Sequence, residues 1–499
     1  MRLATVLFFA ASLSACRYDA AFIEVTVTGS APATTQLACT VTSTVSGTAK
    51  ISVPAAAAAA PLDFPQSFTL QLPTAARAQV TIVVSAGTVS ASSVVEIHGD
   101  GLYRTTIALG GSGDLSTAHG DLAGDDLSGE DGSTPSDLSV PKGYMYARDV
   151  TFHHASIGAA GGLSYLTDYP APVQITDATL ADTAHGGHVA EANGADITFI
   201  ATGRACNGPP TCTLASEIVS YNATTGALAA WVRVPALNTV SSTQPDTVVT
   251  MLYGNAGLTA PLIDPALTWD SDFLGVWHLA SSQADSTAKA HDGSTTTFVA
   301  STTPIFGGAT AMGGTAANIV QVPDDPDFNF QSDFSISLWV RTAQKTGQGV
   351  ALGKYIETAS FTDGYTIFLD LSASPRAWYG EIYTTMGEAT GGSGGDLSDN
   401  AWHLLTMVRQ GANLLTYQDG QFLSSMYTPG GATGDPTNAA PLVFGAECLE
   451  SATDPYAFFT GAEEEVRVSS IARSAAWIAT DYALITTASA ITIGVEHAP

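Results

Sequence analysis

Positive charge is what this sequence has least of. Lysine and arginine together number 17 in 499 residues, against 46 aspartates and glutamates, for a net charge of -29. Such a field repels phosphate backbones, so nucleic acid is excluded as an expected partner, while cations are attracted. Charge of either sign is sparse too: 13% of residues, about half of the ~25% usual for soluble domains. Glycine, alanine, serine and threonine take its place, as in secreted β-rich proteins. Cysteine is also scarce, with five in the chain. Cys206 and Cys212 flank the turn-rich "NGPPT" and have no further Cys or His at ligand spacing. That excludes a zinc site there and favours a small hairpin disulfide in an oxidising compartment. Cys39 and Cys448 fall in different units and are left unpaired. Long hydrophobic runs are missing as well. The apolar run at residues 3–13 is too short to span a bilayer as a mature helix.

That run is nevertheless informative. Arg2 precedes it, and Leu13-Ser14-Ala15-Cys16 follows. The pattern resembles a bacterial lipobox, which implies cleavage before Cys16 and diacylglycerol on its thiol. Residues 1–16 are then a lipoprotein signal peptide, and the mature protein is a membrane-anchored lipoprotein. Each buried methylene contributes ~0.8 kcal/mol, so two or more chains anchor stably. An ordinary secretory signal is the competing reading. Arg17 is not the aspartate that holds familiar lipoproteins in the inner membrane. The expected address is therefore the cell envelope, at the outer membrane or cell surface.

The length allows about three domains of ~150 residues. Residues 17–109 alternate apolar and polar in short runs bounded by Gly, Pro or Ser ("FIEVTVTG", "QVTIVVSAG", "SSVVEIHG"), the pattern of a small antiparallel β-sandwich. Residues 110–142 repeat Gly-Asp-Leu and Ser-Asp-Leu irregularly, without aromatics. They bury too little surface to offset chain entropy, so an acidic flexible linker is expected. Residues 143–258 again read as strands and turns. Here "GADITF" (194–199), Glu217-Ile218, "AWVRVP" (230–235) and "MLYGN" (251–255) resemble DUF2341, a bacterial domain of unknown function. The resemblance implies a β-sandwich and no established activity.

Residues 268–485 carry "FSISLWV" (334–340), Trp402-His403, "YQDG" (417–420) and the stretch from Gly461 to Ile478. In order and spacing they resemble a laminin-G-like, concanavalin A-like jelly roll. The chain departs from that family at Met312-Gly313-Gly314, where Phe-Asp-Gly is usual, and at Glu463-Glu464-Glu465-Val466, where Ile-Asp-Glu-Val is usual. The fold class as a whole is all-β, with one short terminal helix at 475–484 capped by Ser474.

Within the third unit, "WHLLTMVRQ" alternates. Trp402, Leu404, Thr406 and Val408 face one way, and His403, Leu405, Met407 and Arg409 the other. Asp419-Gly420 is a type I′ hairpin signal, since both turn positions require positive φ. His403 and Asp419 thus read as strand and turn residues, not as a reactive pair. "GGSGG" at 391–395 lacks the strand-to-helix context that would make Ser393 a nucleophile. A glycoside hydrolase needs two carboxylates ~5–9.5 Å apart. Glu381 has no acidic partner at strand spacing, and Glu463 and Glu465, read as sharing a face with Arg467, sit in a structural strand.

For a metal, calcium is the expected ion, and Asp285, Asp292 and, by resemblance, Glu464 are the expected ligands, stapling distant loops. Solvated turn carboxylates are the alternative. "DDPDFNF" (324–330) lacks the Gly and Glu of a calcium loop, and His185 and His188 have no third ligand. For glycan binding, the aromatic candidates are Tyr365, Trp378, Tyr379 and Tyr383. Trp378 and Tyr379 point to opposite faces, so one of them at most lines a groove. The expected function is non-catalytic recognition or adhesion at the cell surface, with carbohydrate or a surface protein as ligand. The alternatives are an envelope polysaccharide hydrolase and a structural envelope component.

Overall fold

The computed structural model describes the strands between residues 21 and 109, and residues 141–499 apart from 159–163, 207–210, 302, 358–361, 385–386, 392–395, 428–433 and 449–454. Cys16, the acidic segment up to 140 and Ser393 lie outside the described residues, as does the Cys448 side chain. The chain divides into two compact units, residues 1–131 and 132–499.

The first unit holds two sheets. In one, Ala21–Gly29 is central, antiparallel to Gln66–Leu72 and parallel to Gly101–Leu109. In the other the order is Gly47–Val53, Leu37–Ser43, Ala78–Ala86, Val89–Ile97. Alternate residues are buried, as a period-2 strand requires: Val25 and Val27, Leu37, Cys39 and Val41, Val80, Ile82 and Val84. Burial pushes the Cys39 thiol up to about 11, so it behaves as a small apolar group.

The second unit is two sandwiches that share packing. The first has a five-stranded sheet, in the order Thr211–Leu214, Thr198–Thr202, Thr247–Tyr253, Tyr146–Phe152, Ile491–Ile493, and a three-stranded one, Ser216–Asn222, Ala227–Asn238, Tyr165–Thr176. Cys206 and Cys212 are disulfide-bonded, with Cα atoms 5.6 Å apart. The second sandwich, a jelly roll, has a sheet built on Phe273–Trp277, Thr460–Ser469, Phe334–Arg341, Trp402–Gln410, Asn413–Gln418 and Gln421–Tyr427. Facing it is a six-stranded sheet, Val320–Val322, Leu442–Phe444, Gln348–Glu357, Thr362–Asp370, Ala377–Thr384, Gly387–Thr390. Its core includes Trp277, Phe334, Leu338, Tyr365, Trp378, Leu405 and Met407.

The expected hairpin is present. Asp419 and Gly420 have φ of 54° and 75°, and Gln418 pairs with Gln421 across them. His403 Nδ1 lies 2.9 Å from Asp419 Oδ2, while Asp419 Oδ1 accepts from the Leu404 N–H. The pair fastens strand to turn. Donating a hydrogen bond to Asp419 raises the His403 pKa above its ordinary value.

The one α-helix among the described residues, Ala475–Thr486, is capped by Ser474, whose Oγ accepts from Trp477 N at 3.2 Å. Ile478 packs on Val408 and Tyr417. Tyr482 stacks on Trp339, with ring centroids 5.7 Å apart. Trp477 leans on Tyr169 of the first sandwich at 4.6 Å. The helix therefore joins both sandwiches.

Candidate functional site

The strand Ala377–Thr384 decides where the aromatic candidates go. Trp378 and Tyr365 are fully buried in the jelly-roll core. Tyr365 Oη donates to the Phe328 carbonyl, and Trp378 Nε1 to Gln418 Oε1. Neither can meet a ligand, which corrects the expectation for these two. Their partners along the pleat face the other way. Tyr379 and Tyr383 are half-buried on the outer face of the six-stranded sheet, with Glu381 between them. Phe368, opposite Tyr379 in the next strand, has its ring centroid 6.4 Å from that tyrosine. Tyr355 meets Tyr383 edge-on at 5.0 Å. In the middle, Glu381 Oε2 accepts from Thr366 Oγ1 and Tyr383 Oη, each at 3.0 Å. Thr366, Glu381 and Tyr355 are buried, so the patch exposes the rings of Tyr379, Tyr383 and Phe368, with the Tyr383 hydroxyl held by the carboxylate beneath it. Apolar ring faces with a few fixed polar groups are what a small polar ligand needs for orientation.

The expected calcium ligands are engaged elsewhere. The Asp285 side chain is buried, and its four bonds come from within the chain. Oδ1 accepts from Val276 N and Thr287 N, and Oδ2 from Thr287 Oγ1 and His291 N, all at 2.8–2.9 Å. Asp292 accepts from Asp285 N at 3.0 Å. Glu464 accepts from Ile305 N and Phe306 N at 2.8 and 2.5 Å. Their oxygens are taken by backbone donors, those of Asp285 and Asp292 from their own loop and the adjoining strand, those of Glu464 from Ile305 and Phe306. Among the described residues, the side chains that could hold a metal are His291, Asp325 and Asp327. His291 Nδ1 is bonded to the Leu274 carbonyl, which turns Nε2 toward Asp325 and Asp327 at 3.5 and 3.8 Å. Lys289 Nζ already sits 2.7 Å from Asp327. His185 and His188 part company: His185 binds Asp182, and His188 binds Glu496.

The three glutamates of Thr460–Ser469 do not behave as simple alternation predicts. Glu463 lies opposite Val340, a residue of the jelly-roll core, and Glu464 opposite Trp339. A bulge follows, with Glu465 at φ 54°. The extra residue turns Glu465 to the same side as Arg467, away from Glu463, so these two acids share no face. Glu463 is fully buried and neither of its carboxyl oxygens has a hydrogen-bond partner. Burial holds it well above the usual carboxylate range, which favours its neutral form.

Glu465 faces the first sandwich and anchors a buried charge network that sequence patterning gave no means to find. Its Oε1 lies 2.7 Å from His278 Nδ1, and its Oε2 accepts from Arg467 Nη2 at 3.0 Å. The Arg467 guanidinium covers the Trp231 ring at 4.1 Å and lies 3.5 Å from Asp481. Tyr169 Oη donates to Asp481 at 2.5 Å. On the other side, His278 Nε2 lies 3.2 Å from Glu217, off the direction of a hydrogen bond. Trp269 Nε1 and Ser286 Oγ donate to Glu217 at 2.7 and 2.6 Å. Burial opposes charge on His278, but Glu465 and Glu217 outweigh it and push the imidazole up to about 10. The network fastens the two sandwiches.

Residues 313–479 match the family model described as the concanavalin A-like lectin/glucanases superfamily, about a third of the chain. The terminal jelly roll is thus a concanavalin A-like domain. None of the curated proteins matches the chain. Among solved structures, domain 4 of AbnA, an extracellular arabinanase of family GH43 from Geobacillus stearothermophilus in complex with arabinotriose, is 19% identical. That match covers 42% of this chain and 98% of that one, with a TM-score of 0.33. The binding domain of Paraclostridial Mosquitocidal Protein 1 is 12% identical over 42% and 52% of the two chains, with a TM-score of 0.34. A botulinum neurotoxin type C structure, from work on cell entry dependent on two ganglioside molecules, is 12% identical over 43% and 52%, with a TM-score of 0.34. The match spans about half the length of the latter two. Scores at this level say nothing of what this chain binds. No helix among the described residues is long and apolar enough to cross a membrane.

Proposed function

We propose that this protein is a non-catalytic recognition protein of the cell envelope, anchored through lipid on Cys16, whose concanavalin A-like domain binds carbohydrate. The observation that carries the reading is the outer-face patch of Tyr379, Tyr383, Phe368 and Tyr355 around Glu381 and Thr366. The rings of Tyr379, Tyr383 and Phe368 stack on the apolar faces of sugars and the tyrosine hydroxyls meet the sugar hydroxyls, while Glu381 and Thr366 beneath them hold Tyr383 in place. In this reading the DUF2341-like sandwich and the first unit present the domain away from the bilayer. A glycan array with the whole protein tests it. We expect at least one glycan class to bind, and Tyr379→Ala and Tyr383→Ala each to weaken that binding tenfold or more while the thermal midpoint stays within a few degrees. An empty array defeats the proposal. Polysaccharide turnover abolished by Glu381→Gln would replace it with the hydrolase reading. Detergent partitioning of the mature protein, lost on Cys16→Ser, tests the anchor.

A further inference from the structure

After the helix Ala475–Thr486 the chain leaves the jelly roll and runs back along Tyr146–Phe152, at the edge of the five-stranded sheet. Ile491, Thr492 and Ile493 pair with Phe152, Thr151 and Val150. His153 N donates to the Ala490 carbonyl at 2.9 Å and Gly494 N to the Asp149 carbonyl at 2.8 Å, while Ala147 and His497 exchange bonds of 2.9 Å. Side chains add a second grip. Glu496 Oε2 is held by His188 Nδ1 at 2.7 Å and Tyr253 Oη at 2.8 Å. Arg148 Nη1 donates to the Gly494 carbonyl at 2.8 Å, and His153 Nε2 lies 2.7 Å from Thr492 Oγ1. Tyr146 stacks on His188 at 4.0 Å and fixes the ring.

The hold is largely polar. Ala490 is fully buried, and Ile491 and Ile493 pack half-buried against the core of the first sandwich. No residue after Ala490 is buried, and Val495 is 83% exposed. Apolar burial supplies most of the adhesion in a folded protein, whereas ladder hydrogen bonds exchange with water at small net gain. This segment buries less apolar surface than the strand beneath it, whose Val150 and Phe152 are fully buried, and it opens locally more readily. Opening leaves a bare strand edge flanked by a carboxylate receptor. Only residues 487–490 separate helix from strand, a short connection of the kind that favours exchange between copies.

We propose that the Tyr146–Phe152 edge is a strand-acceptor site, filled by the chain's own residues 490–497 and able to take the same segment from a second copy. A second copy is the fitting occupant because its Thr492, Gly494 and Glu496 meet His153, Arg148, His188 and Tyr253 in the same register. A reciprocal exchange about a two-fold axis loses none of these bonds.

The test uses the whole protein carrying Thr151→Cys and Thr492→Cys, two residues directly opposite each other in the pairing, with the unsubstituted protein as control for its own cysteines. Oxidised when dilute, the variant should give an internal cross-link. Oxidised after incubation at high concentration, it should give a covalent dimer whose fraction rises at least tenfold over the dilute sample. Monomer at every concentration overturns the proposal. A second arm uses a labelled peptide of residues 488–499 on the full chain with Glu496→Ala. Binding at least tenfold tighter than to the unsubstituted protein supports the site. Absence of binding to either, with the Ala147 and His153 amides protected from hydrogen exchange as strongly as the core in both, overturns it.

Discussion

Single residues here are decided by whether their polar atoms find partners. Asp285 looks like a metal ligand in sequence, but four donors, three from its own loop and one from the strand Phe273–Trp277, consume its oxygens. Glu463 is the opposite case, buried with no partner for either oxygen. An unsatisfied buried polar group costs about 1–3 kcal/mol. Glu463→Met keeps the volume and removes the polar atoms, so it should raise stability by about 1–3 kcal/mol in urea denaturation at pH 7. Position 463 could be read as part of an acidic triple. That it stands apart from 465 could not, because a bulge adds one residue and breaks the alternation from which faces are read.

Elements were the most legible level. Alternation gave the strands, Asp419-Gly420 gave the hairpin, and Ser474 gave the start of the helix, because each depends on neighbours a few residues apart. What the local signals omit is what each element touches. Gly420 shows this: its φ of 75° suits the turn, and a Cβ there would lie 3.0 Å from the Tyr482 Cβ and 3.1 Å from the Ala479 Cα of the helix. Gly420→Ala should therefore cost more than about 1 kcal/mol, from strain at positive φ and from pushing the helix off its hairpin. Chemical denaturation would show the loss, and near-ultraviolet circular dichroism would report the disturbed Trp339–Tyr482 stack.

At the scale of the second unit, two sandwiches behave as one because their cores meet. Trp269, Phe273, Phe306 and Trp477, from the part that carries the jelly roll, pack in the same cluster as Trp231, Tyr169 and Val232. A fragment of residues 268–485 should expose these rings and aggregate, whereas residues 141–499 should melt in a single calorimetric transition. The charge network gives that transition a pH dependence. His278 titrates at about 10 in the folded protein against an ordinary 6.5. Its contribution is complete below pH 6.5 and lost as pH rises through 10. Burial and the neighbouring Glu465 raise Glu464 to about 9 from 4.5, which favours the folded state less as pH climbs over the same range. The folded protein binds more protons than the unfolded chain here, so stability falls with rising pH. We expect the thermal midpoint to decline from pH 6.5 to 10, and His278→Gln, itself less stable at pH 6.5, to flatten the decline.

The sequence by itself determined the all-β class, the strand and turn positions and the capped helix. These are carried by side-chain alternation, φ preferences and spacing, all of which act along the chain; the concanavalin A-like character of the terminal sandwich came from its resemblance to that family. The tertiary structure alone decided that Tyr365 and Trp378 belong to the core while Tyr379 and Tyr383 face outward. It also decided that the glutamates split across two faces and that residues 490–497 return to a strand more than 300 positions earlier. Alternation divides a strand into two faces but does not say which face meets another sheet. That depends on contacts between distant residues, and only their packing together settles it.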